Sequence, residues 1–139
     1  MNVQKEQIKD TPKGMPVDVA YGNANGDNDV VGYMEKTYPE MTQEFKNIQR
    51  EQYELFCRKQ FDYGPQNIAV GTILKTKEDI KLSLLGVWFR MNDKIERLKT
   101  LLMRDNNHAV EKEGVVDSFS DVSNYGVMAQ VVARGKWAK

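Results

Sequence analysis

Two stretches in the C-terminal half of this 139-residue chain combine an apolar composition with carboxylates at helical spacing. The first, LLGVWFRMNDKIERLKTLLM from Leu84 to Met103, carries Asp93 and Glu96. The second, VVDSFSDVSNYGVMAQVVA from Val115 to Ala133, carries Asp117 and Asp121. A carboxylate inside a helical bundle is costly unless it is paired, hydrogen-bonded or bound to metal. Facing helices that each offer two acids form a cage for a hard divalent cation, with Asp93, Glu96, Asp117 and Asp121 as ligands. Arg90, Lys94 and Arg97 are interleaved with the first pair, and cations beside such acids suit phosphate.

Each residue also has a plainer role open to it. Asp93 can pair within its helix with Arg90 and Arg97, at roughly a few tenths of a kcal/mol per pair. Asp117 lies in a first helical turn and can act as a cap, and either aspartate of the second stretch can pair with Arg90 or Arg97. Upstream, Glu44, Glu51 and Glu54 are a third source of acids, which Arg50, Arg58 or solvent can satisfy. Between the two regions, Asp62 to Asn67 reads DYGPQN after the basic pair Arg58-Lys59. There Tyr63 can stack on a base, Asn67 can read a base edge and Gly64 lets backbone approach a ligand. The same string is also an ordinary helix stop.

Positioning these groups requires helices, and the pattern supplies them. Pro39, Glu40 and Glu44 suit a helix start, with Thr37 or Thr42 as cap and an inward stripe of Phe45, Ile48, Gln52, Leu55 and Phe56. This helix should run to about Phe61. Ile68 to Leu74 fits a loop or a brief helical turn around Gly71. Thr76-Lys77-Glu78-Asp79 opens the next helix with Thr76 as cap. Its first stripe is Leu84, Trp88, Met91, Ile95, Leu98 and Leu102; a second is Leu82, Leu85, Phe89 and Met103. Apolar residues on two sides predict a central helix, with Asp93 and Glu96 facing inward. After a polar connector, Arg104 to Gly114, the last helix runs from about Val115 to Ala133. Asp117, Asp121, Tyr125, Met128 and Val132 share one of its faces, and its remaining surface is also largely apolar. These features predict an all-α small helical bundle completed by homo-oligomerisation.

The region 1–37, rich in turn formers as in TPKGMP and GNANGDND, reads as an extended N-terminal arm, flexible or loosely docked. A strand or partner-wrapping arm around Val17 to Tyr21 fits within it. Residues 38–139 form the helical domain. Twenty basic and 20 acidic residues balance, which argues against a protein that blankets duplex nucleic acid. One cysteine, Cys57, and one histidine, His108, leave no intramolecular disulfide and no His-Cys zinc site or Ser-His-Asp triad. The free thiol, with no signal peptide and no long apolar run, predicts a soluble cytoplasmic protein without membrane association.

The strings together resemble the phage and bacterial nucleotide-modification-associated domain. The matching residues are Lys59, Asp62-Tyr63-Gly64 and Asn67; then Arg90, Asp93-Lys94 and Arg97-Leu98; then Asp117, Asp121 and Tyr125. The match covers about Glu44 to Ala133. That family in turn resembles the all-α nucleoside triphosphate pyrophosphohydrolases of the MazG and dimeric dUTPase type. These hold Mg²⁺ with an E-x-x-E pair and a later E-x-x-D pair on neighbouring helices, and release pyrophosphate.

The resemblance implies a MazG-like helix arrangement, a dimer or tetramer, and a host-cytoplasmic location if the chain is phage-encoded. It also implies a Mg²⁺- or Mn²⁺-dependent pyrophosphohydrolase acting on a nucleotide or modified nucleotide, in phage nucleotide metabolism or DNA-base modification. Lys59, Tyr63, Asn67, Arg90, Lys94, Arg97 and Tyr125 would bind nucleotide, and Asp93, Glu96, Asp117 and Asp121 would hold metal. Glu51, Glu54 or Glu96 would be the general base, and Arg90, Lys94 or Arg97 would stabilise the leaving pyrophosphate. The chain departs from the hydrolase pattern in both pairs: the first is Asp93-x-x-Glu96, and the second is Asp117-x-x-x-Asp121, with Ser118 in place of the later Glu. Shorter and fewer acids weaken a multi-metal site. They leave open a second function, a non-catalytic nucleotide-binding or nucleotide-sequestering protein on the same scaffold.

Overall fold

The computed structural model describes residues 26–104 and 114–139 of the chain. These residues form five helices and no strand: α1 Gly26–Thr37, α2 Pro39–Tyr63, α3 Gln66–Ala69, α4 Lys77–Met103 and α5 Val115–Ala133. The all-α class is as the sequence predicts. The helix at Gly26–Thr37 falls inside the stretch read as an extended arm, while Val17 to Tyr21 and His108 lie outside the described residues. No helix among the described residues is long and apolar enough to cross a membrane.

The chain divides into two compact units between Arg50 and Glu51, inside α2. In the first, Tyr38 joins α1 to α2. Its N–H donates to the Met34 carbonyl at 2.8 Å, and its own carbonyl accepts from the Thr42 N–H at 3.1 Å. The expected Thr42 cap is therefore not needed, and the Thr42 hydroxyl donates back to the Tyr38 carbonyl instead. Lys46 pairs with Glu35 at 2.7 Å. Phe45 and Ile48, expected to face inward, are exposed, at 64% and 44% of their surface.

The second unit holds the candidate site. Gly64 ends α2: its φ of 76° places it in the left-handed region, and its N–H closes onto the Gln60 carbonyl at 2.9 Å. A short turn, α3, follows and buries Ile68 and Ala69. The Ser83 hydroxyl, fully buried on α4, donates to the Ile68 carbonyl at 2.6 Å and fixes this turn to α4. Thr76 caps α4 as expected, in a reciprocal box with Asp79: the Asp79 N–H donates to Thr76 Oγ1 at 3.1 Å and the Thr76 N–H to Asp79 Oδ2 at 3.3 Å. The α5 boundaries are also those read from sequence.

The core of this unit is Ile68, Val87, Met128, Val132 and Trp137, with Phe56, Leu84, Met91 and Tyr125 packed against it. Only one side of α4 contributes. Leu84, Met91 and Leu98 turn inward, whereas Trp88, Ile95 and Leu102 of the same predicted stripe are exposed, as are Leu82, Leu85, Phe89 and Met103. The helix is thus not central among the described residues of this unit. Glu96, seven residues from both Phe89 and Met103, shares their exposed face, which corrects the expectation that it looks inward. Asp93 is exposed as well.

The tail beyond α5 adds a contact that helical periodicity does not signal. The Gly135 N–H donates to the Val132 carbonyl at 2.9 Å and the Lys136 N–H to Val131 at 3.1 Å, with Gly135 at a φ of 67°. This double closure reverses the chain. It seats Trp137, 6% exposed, edge-on to Phe56 with ring centroids 5.9 Å apart. The indole N–H donates to the Pro65 carbonyl at 2.9 Å. Trp137→Ala should lower unfolding free energy by about 3 kcal/mol or more, and Trp137→Phe by about 1 kcal/mol through the lost hydrogen bond. Urea denaturation of the three proteins measures both; equal losses would show that the hydrogen bond, not the ring, dominates.

Candidate functional site

Helices α2, α4 and α5 and the turn after α2 enclose an open cleft of about 630 Å³. Its lining includes Lys59 and Tyr63 from α2, Asn67 from α3, Arg90, Asp93, Lys94 and Arg97 from α4, and Asp117, Asp121 and Tyr125 from α5. Every residue expected to bind nucleotide is thus on one cleft, together with three of the four expected metal ligands. The fourth, Glu96, and the other base candidates, Glu51 and Glu54, are exposed and outside this lining. Glu54 lies 3.9 Å from Arg58 one turn along α2, the ordinary surface pair open to it.

Asp121 is the centre of the cleft's electrostatics. Lys59 Nζ lies 3.1 Å from Oδ1 and Lys94 Nζ lies 3.0 Å from Oδ2, so both carboxylate oxygens are engaged by ammoniums from two other helices. The partners are lysines and not the arginines suggested by sequence proximity. Burial pushes the Asp121 carboxyl up, but hydrogen bonds from Lys94 and Lys59, reinforced by their charges, hold it below its ordinary value of 3.8. Asp121 is ionised at neutral pH and neutralised by two cations.

The other acids have different tasks. Asp117 Oδ2 accepts the Gly114 N–H at 3.2 Å, so this carboxylate caps α5 at its first turn. Ser118, standing where the hydrolase pattern has Glu, is 1% exposed, and its hydroxyl donates to the Gly114 carbonyl at 3.2 Å. The serine is a packed position and not a vacant ligand site. Among the described residues no three Asp, Glu, His or Cys side chains converge as a metal-holding group. With Asp121 held by lysines and Asp117 committed to a cap, this donor set does not fit a Mg²⁺ cage.

Arg90 braces the cleft's rim. One of its terminal nitrogens donates to Asn67 Oδ1 at 2.7 Å and to the Asn67 carbonyl at 3.3 Å, tying α4 to the turn that follows Tyr63. This leaves the Asn67 amide NH₂ as the group able to address a ligand. A small recess of about 50 Å³ adjoins the cleft, lined in part by Gln60, Asn124 and Met128. Asn124 donates to the Gln52 carbonyl at 3.2 Å, and the Ser123 hydroxyl to Gln52 Oε1 at 2.9 Å; both hold α2 against α5. The sequence reading put Gln52 on the inward stripe of α2 but missed its partners Ser123 and Asn124. A signal was present, since Ser123-Asn124 stands between the apolar residues Val122 and Val127-Met128 of α5.

The lowered Asp121 value has a sign that can be measured. A carboxylate whose folded value is depressed adds stability above its ordinary value and loses it as pH falls through the folded value. The stability gap between wild type and Asp121→Asn should therefore be widest near neutrality and shrink on acidification below about pH 4. Urea melts of both proteins across that range measure the gap; one that does not change with pH would remove the two-lysine account.

Compared with known proteins, the chain matches no family model, no curated protein and no solved structure.

Proposed function

We propose that this protein binds a nucleotide or modified nucleotide through its phosphates in the cleft between α2, α4 and α5. The carrying observation is the convergence of Lys59, Arg90, Lys94 and Arg97 from two helices on one open cavity, with Tyr63 and Tyr125 on the same lining. Four cations face three aspartates there, a formal surplus of one positive charge at a place where a polyphosphate can enter. The tyrosines offer ring faces to a base and the Asn67 amide a donor to its edge. The engaged state of Asp121 and the exposed positions of Glu51, Glu54 and Glu96 favour binding or sequestration over hydrolysis.

Calorimetry with dATP and other common or modified nucleotides, in EDTA and again with Mg²⁺, tests this. Binding in EDTA is expected, weakened about tenfold or more by Lys94→Met or Arg97→Gln. No binding under either condition would overturn the proposal.

A Mg²⁺- or Mn²⁺-dependent nucleotide pyrophosphohydrolase is the second reading; Asp93 and Asp117 share the cleft lining with Asp121, and this reading requires a bound nucleotide to draw the two lysines off Asp121. Pyrophosphate release that requires the metal and is lost in Asp121→Asn would select it.

The proposal includes a homo-oligomer, dimer or tetramer. It is supported by exposed Leu85, Trp88, Phe89 and Ile95 on α4 and by Val116, Phe119 and Val127 on α5. Light scattering on a sizing column should give a multiple of 16.0 kDa, and Phe89→Lys should reduce it. A wild-type mass of one chain would refute the assembly.

A further inference from the structure

We propose that Asp121 is a built-in stand-in for phosphate, parking the two lysine ammoniums until an oxyanion enters the cleft and takes them over without a metal ion. This rests on the reading of the cleft as a nucleotide site and specifies how that site recognises its ligand. Lys59 and Lys94 reach one carboxylate from separate helices at 3.1 and 3.0 Å, one on each oxygen. The spacing of two carboxylate oxygens is close to that of two oxygens of a phosphoryl group, so two ammoniums arranged for one are arranged for the other. A phosphate group carries about −1.5 to −2 charges at neutral pH against the carboxylate's single charge, and has a further oxygen to share.

The parts are able to make the exchange. The side chain of Asp121 is 19% exposed, whereas Lys59 and Lys94 reach it with side chains 43% and 27% exposed, on the cleft itself. A lysine ammonium is a point charge on a flexible four-carbon stem, and a short swing redirects it into the cleft. Asp121 is fixed on α5, so the lysines move and the carboxylate stays. In the free protein the carboxylate prevents two buried-edge cations from repelling one another; in the complex it is a competitor that the ligand must beat. The ligand class that does so carries a phosphate dianion, as the end of a nucleotide or as free phosphate or pyrophosphate.

The sign of one substitution decides the matter. Asp121→Asn keeps the shape of the side chain but removes the competing charge. In EDTA, it should bind dATP and pyrophosphate about tenfold more tightly than wild type. Added phosphate should also raise its melting temperature more than that of wild type, since the anion restores the lost bridge. Lys94→Met in the Asp121→Asn background should abolish the gain. If Asp121→Asn proves too unstable, Asp121→Ser gives the same comparison. Gain with both ligands, or with pyrophosphate alone, supports the inference and identifies the phosphate as the displaced carboxylate's rival. Weaker or unchanged binding by the variant, with wild-type binding intact, overturns it and leaves the cleft a nucleotide site in which Asp121 does not compete with the ligand. Absence of binding in both proteins overturns the inference and the cleft assignment together.

Discussion

A carboxylate placed inside a helical bundle dictates where cations must go, and Asp121 imposes that demand on three helices at once. Its position on α5 is half-buried, so the charge has to be met by partners rather than by water alone. Lys59 comes from α2 and Lys94 from α4. Once both are in place, the relative register of the three helices is constrained, and the remaining cleft residues follow by helical spacing. Arg90 and Arg97 flank Lys94 on α4, and Tyr63 lies one turn beyond Lys59.

The apolar core acts on a different end of the same arrangement. Val87, Met128 and Val132 hold α4 to α5, while Ile68 and Trp137 hold the turn between α2 and α4 beneath them. The turn's backbone is addressed three times: Ser83 at Ile68, Arg90 at Asn67 and Trp137 at Pro65. A segment that presents Tyr63 and Asn67 to the cleft is thus anchored by its carbonyls, which leaves side chains available for recognition.

The end of α2 and the boundaries of α4 and α5 were readable because they rest on local chemistry, whereas α1 was not. The box formed by Thr76 and Asp79, the glycine at 64 and the apolar run from Val115 all act within a turn of their own positions. The cleft lining was readable as a set, because the cations and acids recur at spacings that share a helix side. Pairings were not. Nothing in the order of residues tells Asp121 to choose Lys59, 62 positions away, over Arg97. Phe45, Ile48 and the second stripe of α4 misled for a related reason: an apolar stripe states that something covers it, and does not state what. Trp137 escaped because it acts after its helix has ended, through a chain reversal.

The chain has only two tryptophans, and they occupy opposite environments. Trp88 is 55% exposed on the outer face of α4, edge-on to Phe89 at 5.4 Å, while Trp137 is 6% exposed against the turn beneath the cleft. Their emissions are therefore separable by a water-borne quencher, which reaches the first wherever its face of α4 is uncovered and does not reach the second. The protein carries two native optical probes, one for whatever covers α4 and one for the footing of the cleft.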